Sequence, residues 1–382
     1  MEKLQPDTLR GFLPEEDPLT RLPPAFAAWE DAALDLPKIL VSGRVRPILE
    51  NLPPFAVNKL RTENEFERAM VILSFMGHAY VWGSLGPGAC LPARLAVPWH
   101  EVAKHLGRPP VLSYASYALH NWRRVDPSGP VAVGNIVLLQ NFLGGLDEEW
   151  FVLIHIDIEA KAAPAIASLL PAQEEVKNKD SGALARHLGA IASSLTEVCR
   201  TLERMPECCD PYIYYTRVRP YIHGWKDNPG LPEGVIYEGV ADYGNEPQKF
   251  RGETGAQGGI IPALDGALGI AHKEDPLKAY LIEMREYMPP GHRKFIEAVE
   301  RGPSIRDYVA AHHRGHPELK EKYNECIRSL ERFRTTHLEY AAMYIQRQSQ
   351  KSALNPTSVG TGGTPFMIYL QKHKKETLSY LI

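Results

Sequence analysis

Cysteine is scarce in this chain of 382 residues, and what there is does not pair. Cys90, Cys199, Cys208, Cys209 and Cys326 are odd in number, and no CxxC pair or metal-type Cys/His spacing occurs. A reduced, cytoplasmic protein fits that pattern better than a disulfide-stapled scaffold or a cysteine-based zinc protein. Excess charge is lacking too. The formal net charge is −3, with Lys and Arg scattered, which argues against nucleic acid or an anionic membrane as the main partner. No apolar run approaches the roughly 20 residues of a membrane span, and the apolar stretch 150–156 is already broken by His155. Residues 1–7 show no basic region leading into an apolar core, so no secretory signal is expected. Alternating strand patterns are few, and there is no internal repeat. Absent as well are a nucleophile elbow, an HExxH metal motif and a DxDxDG calcium loop.

What remains is helical periodicity. Residues 60–82 place Phe66, Met70, Ile72, Leu73, Met76 and Tyr80 on a buried side, and glycines and a proline at 83–88 end the helix. Shorter helices are expected at 25–33, 99–106 and 114–122. Residues 150–170 read as a helix with a kink or break at Pro164; on it Phe151, His155 and Glu159 share a face. Further helices are expected at 182–205, 212–222 (with a kink at Pro220), 262–271, 276–287, 292–300 and 304–312. A last long one opens near Pro317. The expected fold is mainly α, with a smaller N-terminal domain over 1–140, a connection at 141–148 and a large helical domain over 149–382. A 44% hydrophobic composition is enough to fill the cores of one or two domains.

The chemistry centres on the late helix. Leu319, Tyr323, Cys326, Ile327, Leu330, Phe333, Leu338, Ala341 and Ile345 recur at spacings of three and four, and His337 falls within that stripe. A buried neutral imidazole needs a partner; either a core hydrogen bond or a haem iron satisfies it. In the aromatic segment 212–221, Tyr215 and Arg219 lie at i, i+4, so one arginine points inward toward an anion or a structural ion pair. Glycine-rich stretches at 251–259 and 360–364 precede helices, but no GK[ST] follows either and no βαβ unit surrounds them. They read as anion-binding loops or plain turns.

Several long motifs together carry a resemblance. Met284-Arg285-Glu286-Tyr287-Met288-Pro289-Pro290-Gly291-His292-Arg293-Lys294-Phe295 resembles a signature of the indoleamine 2,3-dioxygenases. So do Arg334-Thr335-Thr336-His337-Leu338, Gly360-Thr361-Gly362-Gly363-Thr364, Ala79-Tyr80-Val81-Trp82-Gly83 and His223-Gly224-Trp225-Lys226, in the family's order along nearly the whole chain. The resemblance implies haem b, ferrous when active, between a small N-terminal domain capping its distal face and a large helical domain. It implies His337 as the proximal iron ligand, with Arg334 and Asp265 near a haem propionate. Arg219 is implied as the clamp on the substrate carboxylate, Thr361 as part of a closing loop, and Tyr114, Phe151 and Tyr214 as aromatics of an indole pocket. Thr254 and Gly255 match the loop lining the distal side, and Tyr117 a distal position. The implied reaction is cleavage of the indole C2–C3 bond of L-tryptophan, with both atoms of O2 entering N-formylkynurenine. An external electron donor first reduces ferric haem, and a monomer is expected.

Four departures from the mammalian pattern stand out. His155 replaces a distal serine and resembles the distal histidine of tryptophan 2,3-dioxygenases, which implies an orienting partner for the indole N–H. Tyr214 replaces a pocket phenylalanine, Tyr117 a cysteine, and Glu253 stands in a glycine-rich loop position. Glu253 either attracts the substrate ammonium or faces solvent. Two rival functions follow from these departures: a haem monooxygenase acting on an indole, and a non-catalytic protein that binds O2 or haem. The mass of the product separates the first rival from the dioxygenase.

Overall fold

Local signals set the helix ends. Thr62 opens α1 (Glu63–Trp82) with a capping box: its hydroxyl accepts from Glu65 N at 3.2 Å while the Glu65 carboxylate accepts from Thr62 N at 3.3 Å. A cap of this kind is worth about 1 kcal/mol. The next principal helix, α2 (Ala93–Leu106), begins well before Trp99 despite Pro98 within it, and ends at Gly107 with φ +67°. These features belong to a computed structural model that describes residues 6–273, 275–349 and 366–382.

The longest helix, α3 (Leu146–Asn178), carries Asp147, Glu148 and Glu149 in its first turn, at the positive end of the helix dipole. Glu148 is buried and accepts from Phe142 N at 2.8 Å and Leu143 N at 2.7 Å, which fixes the entry loop. The expected break at Pro164 does not occur. α3 runs on through Pro164 and Pro171. A proline inside a helix costs about 3 kcal/mol, and here Ala162, Ala163, Ala165 and Ile166 are buried in the core that α3 shares with α4 (Ser181–Glu203). Packing outweighs the lost backbone bond.

Two other segments differ from their sequence readings. Residues 114–122 do not form one helix: a π-helical turn, Ala115–Leu119, gives way to a strand. The 212–222 segment is Pro211–Ile213, a π turn Tyr214–Val218 and Arg219–Ile222. Pro220 offers no N–H to the helix ladder, and the helix widens just before it. The remaining principal helices are α5 (Ile260–Leu268), α6 (Pro290–Glu300), α7 (Pro317–Ala341) and α8 (Phe366–Leu378). The strands are short: β1 (Cys90–Leu91) pairs in parallel with β4 (Ile236–Tyr237), and β2 (Trp122–Arg124) antiparallel with β3 (Ile136–Leu138). The fold is mainly α, as expected.

Two apolar cores form. One gathers α1, α2 and the N-terminal segments with Trp225, Tyr237, Tyr280 and Met284. The other gathers α4, α5, α6 and α7. The first half of α3 serves both: Val152, Leu153 and Ile156 join the first core, Ile154, Ile158 and Ala162 the second. His155 therefore sits at the seam. Among the described residues no helix is long and apolar enough to cross a membrane.

Candidate active site

The stripe on α7 changes character along its length. Leu319, Tyr323, Cys326, Ile327 and Leu330 are fully buried, but from Phe333 onward the face opens, and His337 is exposed. Yet so much protein surrounds the His337 imidazole that desolvation lowers its pKa to about 4. The ring stacks beside Phe333, centroids 6.4 Å apart and planes 17° apart, and its other side faces accessible space. The second influence on His337 is the charge of His155, so the two imidazoles lie within electrostatic reach of one another.

His155 is oriented by its own helix. Its Nδ1 lies 2.7 Å from Phe151 O; a carbonyl only accepts, so Nδ1 carries the hydrogen and Nε2 is left as an acceptor. Burial holds the imidazole below its ordinary pKa, which keeps it neutral.

Aromatic rings wall the space. Phe151 stands 4.6 Å from His155 and 4.7 Å from Tyr214 between ring centroids, with Tyr117 at 6.4 Å. Tyr114 lies edge-on to His155 at 6.0 Å. Tyr344, to which sequence reasoning gave no role, abuts Tyr214 at 5.7 Å and donates to Cys209 O at 2.6 Å. The π turns place Tyr117 and Tyr214, and Arg219 follows the second directly. Arg219 is completely buried, its guanidinium 5.3 Å from the Tyr215 ring centroid.

Two carboxyls are buried beside these rings. Tyr114 donates to Glu159 Oε1 at 3.0 Å, and burial raises Glu159 to about 8. Glu253 is only 4% exposed, so it does not face solvent; burial raises it to about 8 as well. Its charge acts on Tyr114, Tyr117 and Tyr214. Thr254 caps a short turn, Gly255–Gln257, accepting from Ala256 N at 3.4 Å, and Gly255 itself is exposed. Gln257 had no sequence signal. Its Oε1 accepts from Tyr114 N and its Nε2 donates to Gly252 O, each at 2.9 Å, which ties the glycine-rich stretch to the tyrosine wall.

Asp265 and Arg334 meet as a separate group. Arg334 Nη2 donates to both Asp265 oxygens, at 2.8 and 2.6 Å, and the arginine holds the carboxyl below its usual range. The other terminal nitrogen of Arg334 donates to Thr377 Oγ1 on α8. Arg334 stands one turn before His337 on α7. Thr361 and the glycines at 360–363 lie outside the described residues.

The sequence matches the profile described as Indoleamine 2,3-dioxygenase over residues 2–380. It is 37% identical over 378 residues to Indoleamine 2,3-dioxygenase 1 of Rattus norvegicus, covering 96% of this chain and 92% of that protein. It is 33% identical to Indoleamine 2,3-dioxygenase acdA of Aspergillus candidus, covering 99% and 96%. Indoleamine 2,3-dioxygenase of Saccharomyces cerevisiae is 31% identical, covering 97% and 91%.

Proposed function

The chain belongs to the indoleamine 2,3-dioxygenase family, whose members are haem-dependent oxidoreductases, and from that premise we propose that it cleaves the indole C2–C3 bond of L-tryptophan with both atoms of O2, giving N-formylkynurenine. The observation that carries this reading is that His337 lies within electrostatic reach of His155, which Tyr114 and Phe151 flank, with Tyr214 beside Phe151. The donor set suits haem b. A neutral imidazole on an accessible face suits an iron ligand, so His337 would hold the iron, Arg334 and Asp265 would meet the haem carboxylates, and Tyr117 and Gly255 would contact the cofactor. Bound there, ferrous haem supplies the binding and activation of O2.

The protein's own residues do the rest by positioning. His155 Nε2, as an acceptor, takes the indole N–H and sets the ring's orientation. Tyr114, Phe151 and Tyr214 hold the indole faces and exclude water. Arg219 presents a planar fork to the substrate carboxylate, and Glu253 gains charge as the substrate ammonium approaches it. Thr254 contributes to the rim. No side chain need act as acid or base.

A second reading, a haem monooxygenase acting on an indole, is favoured by one feature. The Tyr117 hydroxyl is buried without a hydrogen-bond partner among the described residues, so the pocket offers a polar contact that a plain indole does not use. The test of the first reading is anaerobic reduction of the haem-loaded protein, then L-tryptophan and O2. N-formylkynurenine at many turnovers per haem is expected. A stable oxy-haem spectrum with no product overturns the proposal.

A further inference from the structure

A second cluster of metal-ligating side chains lies away from the pocket, where α8 meets the loop after α5. His373 and Glu376 are one turn apart on α8, and His272 comes from the loop; one ligand atom of each lies within 4.8 Å of the other two. We propose that His272, His373 and Glu376 bind one divalent transition-metal ion of the zinc type.

Three observations carry the proposal. The first is the ligand chemistry. Two imidazoles and a carboxylate form a donor set that zinc takes up readily, leaving a fourth position for water. The second is the outer partner of His272. Its Nδ1 lies 2.7 Å from Glu376 Oε2, while its Nε2 lies 3.3 Å from Asp265 Oδ2. A metal taking Nδ1 leaves Nε2–H donating to Asp265, the carboxylate support that ligating histidines nearly always have. The third is His373, which is only 6% exposed and whose Nε2 has no hydrogen-bond partner among the described residues. A buried ring nitrogen without a partner is costly unless something binds it.

The charges are compatible. Glu376, Asp265 and Asp275 face Arg334 and Lys372, leaving one net negative charge when both imidazoles are neutral. The cluster must tighten to bind. The His272 and His373 rings stack at 3.7 Å with planes 10° apart, so their lone pairs run parallel; one ring turns for both to reach a common ion at about 2.0–2.1 Å. The ion displaces the hydrogen between His272 Nδ1 and Glu376. It joins α8 to the loop after α5 and, through Asp265, to Arg334 on α7 one turn from His337. Occupancy therefore stiffens the attachment of the C-terminal helix.

The test uses the full-length, haem-loaded protein freed of loose metal by a chelator. Zinc is titrated calorimetrically, bound zinc is counted by elemental mass spectrometry, and the melting temperature is followed. One equivalent per chain and a raised melting temperature are expected. His373→Gln and Glu376→Gln each weaken binding at least about tenfold, as loss of even an outer partner does, and abolish the thermal shift. His316→Gln, at an exposed position on the loop before α7, leaves both unchanged. Neither readout depends on turnover, so failure here is distinct from failure of the dioxygenase reading. Absence of saturable zinc binding by the unaltered protein overturns the proposal whether or not the variants fold. Equal binding by all three variants overturns it too, by assigning the zinc to surface histidines.

Discussion

On the proposed function, replacing His155 by alanine removes the acceptor for the indole N–H. Nδ1 is occupied by Phe151 O at 2.7 Å, so Nε2 is the atom lost to the substrate. A neutral hydrogen bond contributes about 0.5–1.5 kcal/mol net, but a buried donor left unpaired costs about 1–3 kcal/mol. The second case applies, since the indole N–H stays in a closed aromatic pocket. The expected fall in kcat/KM for L-tryptophan is therefore about 5- to 150-fold. For 1-methyl-L-tryptophan, which has no N–H, the same substitution costs little, and the preference between the two substrates narrows. A pH profile adds a second readout. Burial keeps the His155 pKa below its ordinary value, so Nε2 remains an acceptor to lower pH than a free imidazole would. As pH falls through that pKa the nitrogen becomes a donor and repels the indole N–H, and kcat/KM declines; the alanine variant lacks this acid limb. The assay is steady-state formation of N-formylkynurenine, normalised to haem content by the Soret band. Full activity with unchanged selectivity toward the methylated substrate would falsify the orienting role.

Other outcomes follow from the same geometry. His337→Ala should lose tight haem binding while its melting temperature without haem stays close to that of the parent, as checked by haem stoichiometry and calorimetry. Glu253→Gln should raise KM for L-tryptophan a few-fold. The carboxyl, held at about 8 by burial, charges as pH rises through that value, so the parent's KM should improve across that range and the variant's should not. Tyr117→Phe removes a buried hydroxyl that has no partner among the described residues and should raise stability by roughly 1 kcal/mol in denaturant titration; a loss of substrate affinity instead would assign the hydroxyl to the ligand. His78 is pinned between Tyr221 O at 2.7 Å and Leu112 N at 3.0 Å, and burial lowers its pKa to about 4. The unfolded chain then binds the proton first, so stability is full above about pH 6.5 and falls between there and about 4 by roughly 3 kcal/mol. His78→Gln should flatten that part of the stability–pH curve.

The helices with a sustained 3.6-residue stripe were legible in the sequence. α1, α4 and α7 begin and end within a few residues of their apolar patterns, because there periodicity and burial report the same thing. The resemblance brought Asp265 to Arg334, and the structure sets them at hydrogen-bond distance. What local pattern could not reveal depends on distant contacts. Pro164 signals a break in any isolated helix, and only the core beside α4 overrides it. The π turns at 115–119 and 214–218 depend on how the wall must face α3 and on Pro220. Gln257 bridges two segments far apart in sequence, as do His272 and His373, and neither pairing leaves a mark in composition or spacing. Glu253 was read with two orientations open; its burial answers which way it faces.

The most direct measurement is a turnover of the reduced, haem-loaded protein with L-tryptophan under 18O2, with the product weighed by mass spectrometry. The account predicts N-formylkynurenine carrying two labelled atoms from one O2. An indole product carrying a single labelled atom would contradict it and leave the pocket built by His155, Tyr117 and Glu253 to a monooxygenase.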